Sequence, residues 1–210
     1  MPSPESLFAF GLISLGMGLT PGPNMIYIVS RSIGQGRIAG LVTLAGVALG
    51  YLFYMLCAAF GITTLLLAVP YAYDALRIAG VTYLLYLAWQ AVRPGGSSPF
   101  QVRRLPADGT RRLFVMGFVT NLFNPKIAVM YLSLLPQFVS PDRGSVLLQL
   151  MILGAVQIVI SISLNAMFAI SAGSIAAFLA SRPAWAAAQR WLMATVLGGL
   201  AIKMATEARH

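Results

Sequence analysis

Charge is what this sequence has least of, and negative charge above all. Only 9% of its 210 residues are charged, and only five are acidic: Glu5, Asp74, Asp108, Asp142 and Glu207. Soluble domains carry about 25% charged residues. With 59% hydrophobic residues and a mean hydropathy of +0.82, the chain reads as an integral membrane protein. There is one cysteine, Cys57, so no intramolecular disulfide can form and the redox compartment is left open. There is one histidine, His210. A Cys/His metal cluster, a His-x-x-x-His pair and a nucleophile–histidine pair are therefore all missing, as is a P-loop. No acid lies inside an apolar run, which removes the usual intramembrane carboxylate relay. These absences argue against an enzyme and call for no cofactor.

What remains is apolar and basic. The net charge is +9, from 14 Lys and Arg against five acids. The basic residues lie in short gaps between apolar runs, a pattern that fits membrane topology and anionic lipid headgroups better than nucleic acid. A span needs roughly 20 apolar residues, and about six runs qualify: 6–30, 38–69, 73–92, 113–138, 145–179 and 186–206. The second run has the length to tilt or bend near Gly61. The N-terminus lacks the basic start and small-residue cleavage site of a signal peptide, so the first run is expected to be a retained span.

Nine basic residues (Arg31, Arg37, Arg93, Arg103, Arg104, Arg111, Arg112, Arg182 and Arg190) fall in odd-numbered loops. Four (Arg77, Arg143, Lys203 and Arg209) fall on the other side. The excess places the odd loops in the cytoplasm and both termini outside. Trp89, Trp185 and Trp191 then lie near the inner interface, and Tyr71 and Tyr73 near the outer one.

Two runs contain strong helix breakers. Thr20-Pro21-Gly22-Pro23-Asn24 interrupts the first, and Asn121-Leu-Phe-Asn124-Pro125-Lys126 interrupts the fourth. Proline in a helix interior costs about 3 kcal/mol, and in lipid no water takes up the freed backbone groups. Broken backbone is tolerated there where it lines a cavity. Cutting the chain at the basic 93–112 loop gives halves 1–92 and 113–210, each of about three spans with a proline in its first. An odd number of spans per half forces opposite orientations, so an inverted repeat is expected. Paired interrupted helices in such repeats point to a transport site. Weak string matches, Leu7–Gly11 with Leu113–Gly117 and Pro23–Tyr27 with Pro125–Tyr131, agree with that division.

Pro23 suits the start of a new half-helix, Gly22 a sharp turn and close ligand approach, and Asn24 supplies both donor and acceptor. Counted back from Arg31, the first break lies about 12 Å deep. Lys126 is the sharpest signal, because a charge in mid-span costs at least roughly 2.5–3.5 kcal/mol. It reads as a contact for a substrate carboxylate or as a proton carrier. The plainer reading is a lysine that bonds broken-helix carbonyls and holds the kink. Gln157, Ser161 and Asn165 recur every four residues and share one helix face. They read equally as a polar pathway or as interhelical hydrogen bonds. The small-residue pairs Gly18/Gly22 and Gly46/Gly50 read as packing faces that permit a homodimer. Tyr27, Tyr54, Tyr83, Tyr86 and Tyr131 read first as packing; of these Tyr131 is included in the candidate pathway.

Thr20–Asn24 resembles the first-span motif of the LysE/RhtB family of amino-acid exporters. Gly-Val-x-Tyr-Leu-Leu-Tyr-Leu-x-Trp at 80–89 resembles that family's third span, and Asn-x-Phe-Asn-Pro-Lys at 121–126 its fourth. The order of these motifs, with about six spans in some 200 residues, extends the resemblance over essentially the whole chain. It implies a six-helix transporter of the bacterial inner membrane that exports amino acids or close derivatives, driven by the proton motive force. The position after Pro-Gly-Pro is often Asp in that family and is Asn24 here. The change removes a simple carboxylate proton site and favours neutral, zwitterionic cargo over strongly cationic cargo. Cation-transporting relatives would want membrane acids or histidines, and thiol-redox relatives a cysteine pair. An ion exporter or channel, or a non-transporting membrane subunit, stands as the alternative.

Overall fold

A computed structural model describes residues 1–20, 22–62 and 107–181, with scattered positions between 78 and 93 and between 188 and 205. Most of the third and sixth predicted spans, most of the 93–112 loop and Pro21 lie outside the described residues. All regular structure described is helical. Helix α1 spans Pro4–Leu19, α2 Pro23–Gln35 and α3 Arg37–Cys57, the last running on into a π-helical turn, Ala58–Ile62. In the second half, α4 spans Thr110–Leu122 and α5 Pro125–Val129. α5 continues through a π turn, Met130–Leu134, and a 3-10 turn, Leu135–Phe138. The long α6 spans Val146–Ser181.

Each end follows from local chemistry. Ser3 caps α1, its hydroxyl accepting from the Ser6 amide at 3.0 Å, with Pro4 in the first turn. Gly36, at φ 90°, closes α2 and turns the chain directly into α3. Arg37–Gly61 and Val146–Ala172 are long and apolar enough to cross a membrane. Two bent pairs pass the same test together, α1 with α2 at 50° and α4 with Lys126–Phe138 at 52°. Among the described residues the bundle thus holds two to four candidate spans.

The polarity of α6 is inverted relative to a soluble helix. Val159 is 64% exposed and Met167 51%, while Gln157, Ser161 and Asn165 are buried. Exposed Phe8, Ile38, Phe60 and Phe123 extend the apolar exterior. Lipid solvates such side chains as well as a core does, so this arrangement suits a bilayer.

One expectation is corrected here. Arg31 does not sit in a loop. The helix runs on to Gln35, and Arg31 is buried against Asp108, Nη2 to Oδ2 at 2.6 Å. Arg112 pairs with the other carboxylate oxygen at 3.2 Å, and Gln35 joins Arg31 Nη1 to the Asp108 carbonyl. With about 1.5 Å of rise per residue, α1 measures about 24 Å and α2 about 20 Å, so the break falls near the middle of the pair.

The glycine pairs, expected as packing faces, are filled from within the chain. A Cβ on Gly46 would lie 1.9 Å from the Phe114 carbonyl oxygen, and one on Gly117 2.2 Å from that of Thr43. Helices α3 and α4 therefore touch backbone to backbone. A Cβ on Gly18 would meet Leu164, and Gly22 faces Lys126.

Candidate functional site

The two breaks are built alike. Each ends a half-helix and restarts another with proline at its first position, where the missing N–H costs nothing. At the first break, the Thr20 amide bonds back to the Gly16 and Met17 carbonyls, and its hydroxyl donates to Gly16 O at 2.8 Å. Gly22 caps α2 with backbone at φ −155°, ψ 176°. That is extended backbone open to any residue, so the expected need for a sharp glycine turn is not met. What Gly22 leaves is room: a Cβ there would come within 3.4 Å of Lys126 Cδ and Nζ. α2 has no side-chain cap among the described residues, which the N–H groups of Asn24 and Met25 would otherwise use. At the second break, Asn124 Oδ1 accepts from the Lys126 amide at 3.1 Å and caps α5. Tyr54 donates to the Leu122 carbonyl at 2.8 Å, satisfying the end of α4.

Lys126 joins the breaks. Its Nζ donates to the carbonyls of Met17 and Thr20, both at 2.6 Å, on a side chain only 6% exposed. A cation at the C-terminal end of a helix meets the negative pole of its dipole. Two of the three ammonium hydrogens are thereby engaged.

Around this bridge lies a cavity of about 20 Å³, room for roughly one water. Gly22, Asn24, Asn124, Lys126, Gln157, Ser161 and Asn165 line it, together with Tyr51 and the apolar Met17, Met25, Ile127 and Met130. α6 supplies a connected polar row: Tyr131 donates to Gln157 Oε1, Gln157 Nε2 to Ser161 Oγ at 2.8 Å, and Asn165 Nδ2 to Ser161 O at 2.8 Å. Asn24 Nδ2 approaches the Tyr51 hydroxyl at 3.5 Å. Asn24 Oδ1, Asn124 Nδ2 and Asn165 Oδ1 are buried and have no hydrogen-bond partner among the described residues. The lining carries donors, acceptors and one cation but no acid. Such a lining suits a small polar molecule. No group of residues that could hold a metal ion occurs among the described residues.

Most residues singled out in the sequence meet here, from both halves of the chain. Thr20 contributes its carbonyl to Lys126, and Tyr131 reaches the cavity through Gln157. Pro23 is exposed at the start of α2, and Pro125 holds the corresponding place in α5. Asn121 is completely buried but stands apart from the cavity, packed where a Cβ on Gly50 would come within 2.6 Å of it. Tyr51 was not among the expected residues. Its signal was a tyrosine in mid-span directly after the Gly46/Gly50 pair, since a buried hydroxyl needs a partner.

A family profile described as LysE type translocator matches residues 15–208. The homoserine/homoserine lactone efflux protein of Salmonella typhimurium is 32% identical over 176 residues, 83% of this chain and 84% of that protein. The leucine efflux protein of Salmonella choleraesuis is 24% identical over 188 residues, 90% of this chain and 89% of that protein. An uncharacterized membrane protein of Pseudomonas aeruginosa is 29% identical over 196 residues, 90% and 89% of the two chains. No solved structure matches. The profile covers nearly the whole chain, both breaks included, and the chain belongs to the LysE type translocator family.

Proposed function

We propose that this protein is a secondary transporter of the bacterial inner membrane that exports small zwitterionic amino acids or close derivatives. The observation that carries the reading is Lys126. A buried cation ties the two broken helix pairs together at a polar cavity that has no acid in its lining. The third N–H of Lys126 and the uncapped amides at the start of α2 suit a substrate carboxylate. The efflux relatives named for homoserine and leucine support cargo of this size and charge.

The cavity's volume fits a closed state in which no amino acid has space, so cargo enters as the walls part. The paired bends of 50° and 52° support an inverted repeat of 1–92 and 113–210, joined by the 93–112 loop. Rocking of the halves about the breaks opens the cavity to each side in turn. The proton motive force drives export, with the basic 93–112 loop in the cytoplasm and both termini outside.

Efflux from everted vesicles or proteoliposomes tests this, with a panel of labelled amino acids and an imposed pH gradient. Wild type is expected to move at least one of them, and Lys126→Ala to lose more than about tenfold in rate at normal insertion. Equal rates would make Lys126 purely structural. Absence of any amino-acid flux in wild type would remove the exporter reading and turn attention to ions.

A further inference from the structure

The unpaired atoms of the cavity are sorted by chemistry. Asn24 and Asn165 are each 4% exposed and stand on different helices, α2 and α6. Both turn their donor to the protein: Asn24 Nδ2 faces the Tyr51 hydroxyl at 3.5 Å, and Asn165 Nδ2 donates to Ser161 O at 2.8 Å. Each is left with a buried carbonyl oxygen that accepts nothing among the described residues. On α5 the sorting is opposite. Asn124 uses its oxygen to cap the helix, and its Nδ2 is the unpaired group, close to Lys126. Buried polar groups are nearly always paired in native proteins, so an orphan marks a missing partner.

We infer that Asn24 Oδ1 and Asn165 Oδ1 form the ammonium-binding end of the cargo site, with the Tyr51 hydroxyl positioning Asn24. This rests on the exporter reading of the same cavity and adds which end of the cargo each wall receives. A protonated amine brings three N–H donors and no acceptor, which matches two acceptors with nothing to accept. A hydroxyl brings one donor and would leave an oxygen unpaired. A hard metal ion needs about six oxygens, against the two left free. The carboxylate lies on the Lys126 and Asn124 side, so the cavity fixes the cargo's direction as well as its composition.

The test compares L-leucine and L-homoserine with their 2-hydroxy acid analogues, which keep the carboxylate and side chain and replace the amine with a hydroxyl. Wild type in proteoliposomes is expected to favour the amino acid by about tenfold or more, as a site built to bond N–H groups rejects an analogue that lacks them. Asn24→Leu and Asn165→Leu should collapse that ratio toward one. Asn24→Asp and Asn165→Asp keep an acceptor in place and should retain it. Because a leucine variant can fail to insert, thermal unfolding of detergent-solubilised wild type gives an independent reading. L-leucine should raise the midpoint, and its hydroxy analogue at equal concentration should not. Equal transport or equal stabilisation by the two analogues overturns the assignment, as does an unchanged ratio in both leucine variants. If wild type transports amino acids without discriminating, only the ammonium assignment fails. If it transports none, the exporter reading fails first.

Discussion

Asp108 shows what a single side chain contributes to the frame around the cavity. Its carboxylate is 6% exposed and meets Arg31, itself 10% exposed, at 2.6 Å. Removing one partner of a buried pair strands the other charge, at a cost of about 3–5 kcal/mol. Asp108→Asn should lower the thermal midpoint clearly in detergent. The double change Arg31→Leu with Asp108→Leu should recover most of the loss, since neither charge is then left alone. A midpoint unmoved by Asp108→Asn would mean that the pair does not hold α2 to the start of α4. Arg112, 72% exposed on the other side of the carboxylate, is expected to matter little. Asn124→Ala removes the cap of α5 and should cost about 1 kcal/mol, measured in the same way.

At the scale of elements, the seam between α3 and α4 is the least forgiving part of the bundle. The obstacle at Gly46 is backbone, the Phe114 carbonyl oxygen and the Phe118 amide nitrogen, which no rotamer change can move. Gly46→Ala or Gly117→Ala must push the helices apart, at about 1–3 kcal/mol each. The double variant should cost less than their sum, because the first separation makes room for the second. Gly22→Ala makes a useful contrast. Its backbone is extended and its nearest neighbour is a flexible lysine at 3.4 Å, so the fold should tolerate it. Unfolding midpoints of the four variants decide the order, and a Gly22→Ala loss larger than that of Gly46→Ala would contradict it.

The breaks themselves were legible in the sequence, because proline's missing donor and fixed φ act locally. Lys126 was legible for a similar reason, since a lone cation in an apolar run stands out against the cost of burying it. The Arg31–Asp108 pair was not legible. Its partners are 77 positions apart, and an arginine at the end of an apolar run looks like an interface residue until a distant carboxylate covers it. Tyr51 was hidden in the same way: only the packing of α3 against α2 and α6 brings its hydroxyl to Asn24.

For the whole molecule, the described contacts define two ends. The Met1 ammonium donates to the Arg143 carbonyl at 2.8 Å, which puts the start of α1 beside the turn before α6. Gln35 and Arg31 meet Asp108 at the far end of the bent pair. We propose, from the basic excess, that this second end faces the cytoplasm. Single cysteines at Ser145 and Thr110, in a Cys57→Ser background, test the orientation with an impermeant maleimide. Ser145→Cys should react in intact cells and Thr110→Cys only after permeabilisation. The reverse pattern would turn the protein over and make the same cavity serve uptake. The pairing of interrupted helices was visible at this scale too, as two prolines at matched places in two halves. How the halves meet was not, since that depends on a lysine side chain reaching across 106 residues to the Thr20 carbonyl.

That reach has a consequence for how loading and movement are connected. The ammonium of Lys126 is already held by two carbonyls from the last turn of α1. A carboxylate forms charge-assisted hydrogen bonds about twice as strong as neutral ones, so an arriving cargo competes with a helix end for the same hydrogens. On the proposed reading, a carboxylate that first met the third N–H could then draw Lys126 from these carbonyls and release the end of α1, and α1 would take the lysine back when the cargo left. The end of α1 would then act as a placeholder for the cargo, and the proposed carrier's first step would be an exchange of partners.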